Sequence, residues 1–212
     1  MTENIEVFKQ NSIRIKDGNR RIYIDPFEIE EEPHDAAFIL ITHEHYDHFD
    51  PESVAKVANS NTVLVVPKKM EGKAREVAGF VGKIVTVRPG VFEEIDGLEF
   101  ETVPAYNLLK PFHPKSAGWV GYLLRIGGKR IYIAGDTDAT KEAKAVKCDI
   151  ALVPVGGTYT MDAGKAAELV NEIRPDIAIP VHYGSVVGSK ADGDTFAGHV
   201  KKPIRVELKI RK

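Results

Sequence analysis

The chain has 212 residues, 43% of them hydrophobic and 28% charged, which is ordinary for a globular protein, and its net charge of −2 gives no reason to expect a nucleic-acid partner. The one cysteine, Cys148, excludes an intrachain disulfide, and no apolar run approaches the ~18 residues of a membrane span. The amino terminus lacks the apolar core of a signal peptide. We therefore expect one cytoplasmic domain over residues 1–212; a homo-oligomer is compatible with this composition.

Three pairs of short β-rich segments flank turn signals that contain glycine, which predicts three β-hairpins. The paired segments are residues 13–16 and 21–24 around Asp17-Gly18, 92–95 and 98–103 around Asp96-Gly97, and 122–126 and 130–133 around Gly127-Gly128. Four continuous apolar runs are typical of strands that are covered on both faces. These runs are residues 37–41, 63–66, 150–153 and 177–181.

Helical patterns alternate with these strands. Asp50-Pro51 predicts an N-cap and a first-turn proline before a helix over residues 52–58. A second helix is expected over residues 161–173, with Thr160 as its cap and Pro175 as its stop. Further helices are expected over residues 69–80, 139–146 and 194–200. Alternating helices and strands, together with the hairpins, predict an α/β fold.

One segment of the sequence is echoed later in the chain. Residues 20–25, Arg-Arg-Ile-Tyr-Ile-Asp, are similar to residues 129–134, Lys-Arg-Ile-Tyr-Ile-Ala. Each follows a hairpin turn and leads to a carboxylate, Asp25 or Asp136. This pattern fits a duplicated half.

A dense group of metal-binding side chains directly follows the first apolar run: His43, His45, Asp47 and His48. In an extended segment, residues two apart point the same way, so His43 and His45 can share one ion. A turn after them would direct Asp47 and His48 toward a second ion. Imidazole and carboxylate ligands suit Zn²⁺, Mn²⁺ or Fe²⁺, and the lack of a cysteine pair excludes a structural zinc knot.

The segment Thr42-His43-Glu44-His45-Tyr46-Asp47-His48 resembles the signature motif of the metallo-β-lactamase superfamily. Its companions follow in the family's order. Asp25 resembles an early strand-end aspartate that supports the site, Asp136 the carboxylate that bridges two metals, and His182 the late histidine of the second metal. The resemblance implies a four-layer αββα sandwich, in which two mixed sheets are flanked by helices and the metals lie at one edge.

The positions of these residues along the chain agree with that implication. Asp25, His43, Asp136 and His182 each lie at or just beyond the carboxyl end of an apolar run. If those strands lie side by side, their ends converge on one rim, as ligand sites do in layered α/β proteins.

One position departs from the family pattern. The family has a third histidine for the first metal near residues 103–107, where this chain has Tyr106 and Asn107. His113 is the only histidine between His48 and His182, and residues 108–112 are enough for a loop to fold back. We favour His113 as the missing ligand. The alternatives are that His113 is a solvent-exposed loop residue and that Asn107, water or substrate completes the site.

The glycine-containing segment over residues 156–161 connects an apolar strand to a predicted helix. It is either a wall of the substrate site or a plain turn. Similar segments occur in the branch with ascorbate-6-phosphate lactonase and N-acyl-phosphatidylethanolamine phospholipase D, which implies a phosphorylated or cyclic-ester substrate. Three lysines offer cations for such an anion, unless they are merely solvated: Lys110, Lys115 and Lys190. The predicted substrate-binding residues are Asn107, Gly157, Thr158, Tyr159 and Tyr183.

The sequence thus predicts a metal-dependent hydrolase that uses a metal-activated water at a site with one or two zinc ions, with Mn²⁺ or Fe²⁺ as alternatives. The expected substrate is a small ester, lactone or phosphodiester. The predicted catalytic residues are Asp47, Asp136 and His182. The competing hypotheses are an iron-dependent redox enzyme on the same fold and a non-catalytic metal-binding protein.

Overall fold

The structure, a computed structural model, describes residues 2–210. Their contacts divide into two units, each built on one β-sheet. The first unit comprises residues 2–87 with Ile210, and the second comprises residues 88–209. The single domain over residues 1–212 stays a prediction.

The first unit contains a six-stranded mixed sheet in which the strands follow one another in chain order. The strands are β1 Ile5–Val7, β2 Ile13–Asp17, β3 Arg20–Ile24, β4 Ala36–Leu40, β5 Val63–Pro67 and β6 Lys83–Val87. The helices are α1 Pro51–Val57 and α2 Glu71–Ala74, with 3₁₀ turns at Thr2–Asn4, Lys68–Met70 and Arg75–Val77. Pairing is antiparallel from β1 to β3 and parallel from β3 to β6.

The second unit contains a seven-stranded mixed sheet in which the sequential order is reversed from β13 to β7. Its strands are β7 Phe92–Ile95, β8 Leu98–Pro104, β9 Val120–Ile126, β10 Lys129–Ile133, β11 Ile150–Pro154, β12 Ile177–Val181 and β13 Arg205–Val206. Its helices are α3 Lys141–Lys144, α4 Ala163–Ile173 and α5 Ala191–His199, with a 3₁₀ turn at Lys115–Ala117. Strands β7 to β10 pair antiparallel, and β10 to β13 pair parallel.

All three predicted hairpins are present. Asp96-Gly97 and Gly127-Gly128 each have two positive φ angles, the backbone of the tight turns that match strand twist. In the first hairpin Asp17 pairs with Arg20, so the turn is Gly18-Asn19, one residue later than predicted. The four apolar runs form the parallel strands β4, β5, β11 and β12, as predicted.

The echoed segments have the same surroundings. Strands β3 and β10 each pair antiparallel with the preceding strand and parallel with the next, and in each the last three residues are buried. The similarity in sequence therefore corresponds to an equivalent strand in each unit.

The predicted helices agree with the structure to different degrees. Helix α1 begins as predicted, because the Asp50 side chain accepts a hydrogen bond from the Glu52 amide. Helix α4 begins at Ala163 instead, because Asp162, not Thr160, caps it through the Lys165 amide. The prediction of one continuous helix over residues 69–80 was wrong. That segment is three short turns, which glycines within it favour over one long helix.

The apolar faces of α1 and of those short turns pack on one side of the first sheet. The buried cluster there includes Val54 and Val57 of α1, Ile39 of β4 and Leu64 of β5. Both units thus combine a mixed sheet with helices, which is the predicted α/β class. Within residues 2–210, no helix has both the length and the apolar character that crossing a membrane requires.

Candidate metal centre

The first cluster of candidate ligands lies where β4 ends. His43 Nε2 and His45 Nδ1 are 3.1 Å apart, and the two rings meet edge to face. Two nitrogen ligands at 2.0–2.1 Å from a tetrahedral zinc ion lie roughly 3.3 Å from each other. The separation of these nitrogens therefore suits one shared ion, as the alternation of an extended segment predicts.

The chain turns sharply after His45. The amides of His48 and Phe49 both donate to the His45 carbonyl, at 3.0 and 2.8 Å. Asp47 Oδ2 lies 3.7 Å from His48 Nε2 and accepts a hydrogen bond from Gln10 Nε2 at 3.2 Å. The turn thus brings Asp47 and His48 together as a second pair of ligand atoms.

Asp25 anchors this cluster. It follows β3, is fully buried and has a positive φ of 45°, a strained conformation that aspartate tolerates better than most residues. Its carboxylate accepts four hydrogen bonds: from Thr42 N (2.7 Å), Thr42 Oγ1 (2.6 Å), Asn11 Nδ2 (2.8 Å) and His48 Nδ1 (2.7 Å). A carboxylate with these contacts orients its neighbours, in keeping with the supporting position that the family motif implies.

These contacts also determine which nitrogen of each histidine carries a proton. A carboxylate only accepts, so His48 Nδ1 donates to Asp25 and the Nε2 atom holds the lone pair. The Thr42 hydroxyl donates its only hydrogen to Asp25, so the Thr42 oxygen can only accept a hydrogen bond from His43 Nδ1, which lies 3.0 Å away. His43 Nε2 is then the lone-pair atom as well. Such partners fix metal-binding imidazoles in the ligating tautomer.

The second cluster is centred on Asp136, just beyond β10. Asp136 Oδ2 lies 3.3 Å from His113 Nε2, and Asp136 Oδ1 lies 3.2 Å from His182 Nε2. All three side chains are at most 4% exposed. Each carboxylate oxygen thus faces a different imidazole at a separation that suits two ligands of one ion, which is the arrangement expected of a bridging carboxylate.

Asn107 supports His113. The Asn107 side-chain oxygen accepts from His113 Nδ1 at 3.1 Å, and its amide nitrogen donates to the Tyr159 carbonyl at 2.9 Å. The second contact fixes the orientation of the amide, so His113 Nδ1 is the protonated atom and Nε2 holds the lone pair. His113 is buried, which contradicts the alternative of a solvent-exposed loop histidine.

Two glycines allow the close approach of the strands that carry the second cluster. A Cβ on Gly156 would lie 2.3 Å from the His182 carbonyl oxygen, and a Cβ on Gly121 would lie 2.6 Å from that of Ala134. Gly156 is therefore needed for packing beside His182. Because α4 begins only at Ala163, with Asp162 as its cap, this glycine does not expose helix amides to an anion.

The predicted substrate-binding residues differ in accessibility. Thr158 and Tyr159 are exposed, whereas Asn107 is buried beside His113. Tyr183 is also buried, and this burial raises the pKa of its phenol. Its hydroxyl packs against Gly193 of α5, where an added Cβ would lie only 2.5 Å from the hydroxyl oxygen. Contacts of these residues and of Gly157 with a substrate stay predictions.

Two of the lysines considered for an anionic substrate have carboxylate partners. Lys110 Nζ binds Asp138 Oδ1 and the Thr160 carbonyl, and Lys115 Nζ binds Glu142 Oε1 at 2.7 Å. Glu142 is ionised: burial opposes its ionisation, but hydrogen bonds from Lys115 and Tyr106 outweigh the effect of burial and lower its pKa to about 2. These pairs reduce the positive charge available for an anion.

Several supporting residues had no signal in the sequence. Gln10 and Asn11 lie far along the chain from the side chains that they contact, and the sequence between His113 and Trp119 predicted no contact of their rings. The Trp119 ring lies 5.3 Å from that of His113. Only Thr42 could have been anticipated, because it is part of the motif.

Comparison with known proteins agrees with this geometry. A family model described as the β-lactamase superfamily domain matches residues 4–182. A UPF0173 metal-dependent hydrolase of Symbiobacterium thermophilum is 30% identical over 93% of this chain and 92% of its own length. A UPF0173 protein of Pyrococcus abyssi is 36% identical over 84% of this chain and 82% of its own. A solved structure from Parabacteroides distasonis has a TM-score of 0.82 at 31% identity, covering 98% of this chain and 93% of the other.

Proposed function

This chain belongs to the β-lactamase superfamily and to the UPF0173 family of metal-dependent hydrolases, and on that premise we propose that it uses zinc to hydrolyse a carboxylic ester or lactone. The observation that carries the proposal is Asp136, whose two carboxylate oxygens each face one imidazole nitrogen, Nε2 of His113 and Nε2 of His182. We also propose a cytoplasmic location, which the single cysteine favours.

The donor set fits a divalent metal. The proposed ligands are His43, His45, Asp47, His48, His113, Asp136 and His182. In three of the five histidines a hydrogen bond at Nδ1 leaves the lone pair on Nε2. Imidazole and carboxylate donors without thiolates suit Zn²⁺, Mn²⁺ and Fe²⁺, and zinc is the usual choice for hydrolysis.

A divalent ion, when bound, polarises a carbonyl oxygen and lowers the pKa of a water molecule. Asp47 Oδ2, which Gln10 Nε2 holds in place, takes the proton of the attacking water. The water oxygen bonds to the carbonyl carbon, and the bond from that carbon to the alcohol oxygen breaks. The proton passes to the departing alcohol, and the acid product ionises by releasing the second water proton to solvent. Asp136 and His182 orient the reacting groups.

The charge distribution favours a neutral ester or lactone over a phosphodiester. Lys110 and Lys115 are bound to Asp138 and Glu142, so neither offers its full charge to a phosphate. The family relatives are named hydrolases, which favours hydrolysis over iron-dependent redox chemistry and over metal binding without catalysis.

A substrate panel on defined metal forms tests the proposal. The protein is stripped with a chelator, reloaded with zinc, manganese or iron, and assayed with p-nitrophenyl acetate, γ-butyrolactone and bis-p-nitrophenyl phosphate. We expect zinc to restore hydrolysis of the ester and the lactone. Activity that survives the chelator, cleavage of the phosphodiester alone, or oxygen consumption by the iron form without hydrolysis would each contradict the proposal.

Matched histidine variants locate the activity. His48→Ala and His182→Ala each remove one proposed ligand and should abolish hydrolysis with the fold intact. His34→Ala and His199→Ala change exposed histidines of the same two units and should leave the rate unchanged. Retained activity in both ligand variants would mean that the chemistry lies elsewhere.

A further inference from the structure

Four large apolar side chains are exposed beside His113 in the second unit. Leu108 is 58% exposed, Leu109 98%, Phe112 44% and Tyr159 36%. We call these four residues the apolar tip. Phe112 precedes His113 in the chain. The Tyr159 carbonyl accepts a hydrogen bond from the side-chain amide of Asn107, whose oxygen accepts one from His113. Grouped exposed apolar side chains mark places where a molecule binds.

Polar contacts hold the base of the apolar tip in place. The Asn107 amide donates to the His113 carbonyl at 2.8 Å, and the Leu108 amide donates to Asp138 Oδ2 at 2.9 Å. Lys110 Nζ adds contacts to Asp138 and to the Thr160 carbonyl. Backbone hydrogen bonds therefore hold the chain before Leu109, contacts of the Lys110 side chain hold the residue after it, and the Leu109 side chain lies in water.

We infer that the apolar tip is a subsite for an apolar acyl or alkyl group of the substrate. The inference deepens the proposed function and rests on it. Phe112 and Tyr159 already meet edge to face at 4.8 Å, so they offer a preformed apolar wall at little entropic cost. The wall adjoins His113, a proposed metal ligand, so a chain lying on it is joined to a carbonyl carbon near the reacting centre.

Charge in this loop argues for the same class of substrate. Its cation, Lys110, is bound to Asp138, so the loop offers an acyl chain apolar surface and offers a phosphate no uncompensated charge. The preferred substrate is therefore an ester or lactone with a medium-length alkyl chain.

A chain-length series tests the inference on the zinc-loaded protein. For p-nitrophenyl acetate, butyrate, hexanoate and octanoate, kcat/KM should rise about twofold to threefold per methylene, mainly through KM, since each methylene is only partly buried. In L108S/L109S the octanoate-to-acetate ratio of kcat/KM should fall toward one. Leu208→Ser, at an apolar residue 49% exposed in the same unit, should retain the wild-type series.

A binding measurement separates this inference from the proposed function. The fluorescence of Trp119, the single tryptophan of the chain, reports ligands near His113. Octanoate should bind about tenfold or more tightly than acetate, and L108S/L109S should remove most of that preference. This binding preference without hydrolysis of any ester would refute the function and leave the subsite standing.

The opposite results would overturn the subsite. Zinc-dependent hydrolysis that is indifferent to chain length, with equal binding of octanoate and acetate, would refute it while the function stands. A chain-length effect that is the same in L108S/L109S as in the wild type would also refute the subsite. Binding to phosphatidylcholine vesicles, or a dimer, that L108S/L109S abolishes without any effect of chain length would assign the apolar tip to a membrane or to a second copy instead.

Discussion

Asp25 and Asp136 each follow the second strand of a hairpin, and those strands, β3 and β10, have matching pairing and burial. Their surroundings differ. Asp25 accepts four hydrogen bonds from N–H and O–H donors, whereas Asp136 has an imidazole nitrogen facing each oxygen. The four hydrogen-bond donors stabilise the negative charge of Asp25, whereas the surroundings of Asp136 suit a metal cation. Carboxylates that follow equivalent strands thus become a support in one unit and a proposed ligand in the other.

The largest expected effect comes from Asp136→Asn. The amide preserves the shape of the side chain but removes the charge that would hold metal beside His113 and His182. We expect hydrolysis to fall by about 10³-fold or more, with loss of bound zinc. Steady-state kinetics and metal analysis of the purified variant measure this. A variant that keeps its zinc and works within about tenfold of wild type would break the proposed distinction between the two aspartates.

Asp25→Asn should act on stability instead. Asparagine would turn an N–H group toward buried donors, so the metal-free protein should lose about 2–4 kcal/mol of unfolding free energy in urea. Asp96→Asn, in an exposed hairpin turn where asparagine is equally suitable, serves as the control and should change little. The account fails here if Asp25→Asn is no less stable than Asp136→Asn when both are metal-free.

His113→Ala tests the departure from the family pattern. Without this imidazole one ion lacks its third protein ligand, so metal content should fall from about two ions per chain to about one. Equilibrium dialysis followed by elemental analysis gives the number. An unchanged content with unchanged activity would show that water or substrate fills that position.

The sequence predicted these features to different degrees. The motif around His43 and the carboxylates at strand ends could be predicted, because extended segments and parallel strands fix where side chains point. The role of Asn107 could not, because it depends on a loop that brings His113 back beside it. Gln10 and Asn11 were missed for the same reason: contacts across the sequence leave no local pattern.

A smaller effect is expected at Asn107. Asn107→Leu removes the acceptor for His113 Nδ1, so zinc should bind about 10–100-fold more weakly with unchanged stoichiometry. Asn107→Asp retains an acceptor oxygen and should restore most of the affinity. Zinc titrations followed by Trp119 fluorescence compare the three proteins. Equal affinities in Asn107→Leu and the wild type would remove Asn107 from the support of His113.

The smallest effect should be at Cys148, outside both clusters. Burial raises the pKa of its thiol to about 12, so at pH 8 the thiol is protonated and a poor nucleophile. Alkylation by iodoacetamide should be slow in the folded protein and fast in urea, and Cys148→Ala should hydrolyse esters at the wild-type rate. Rapid alkylation of the folded protein with loss of activity would implicate the thiol in the chemistry.

The central claim is that the ligands around Asp136 hold metal while Asp25 only supports its neighbours. Metal content per chain after dialysis against zinc, compared between the wild type, Asp136→Asn and Asp25→Asn, tests it most directly. We predict about two ions in the wild type, a large loss in Asp136→Asn, and near-normal content in whatever fraction of Asp25→Asn stays folded. A wild type without zinc, or an Asp136→Asn variant that retains both ions, would contradict the account.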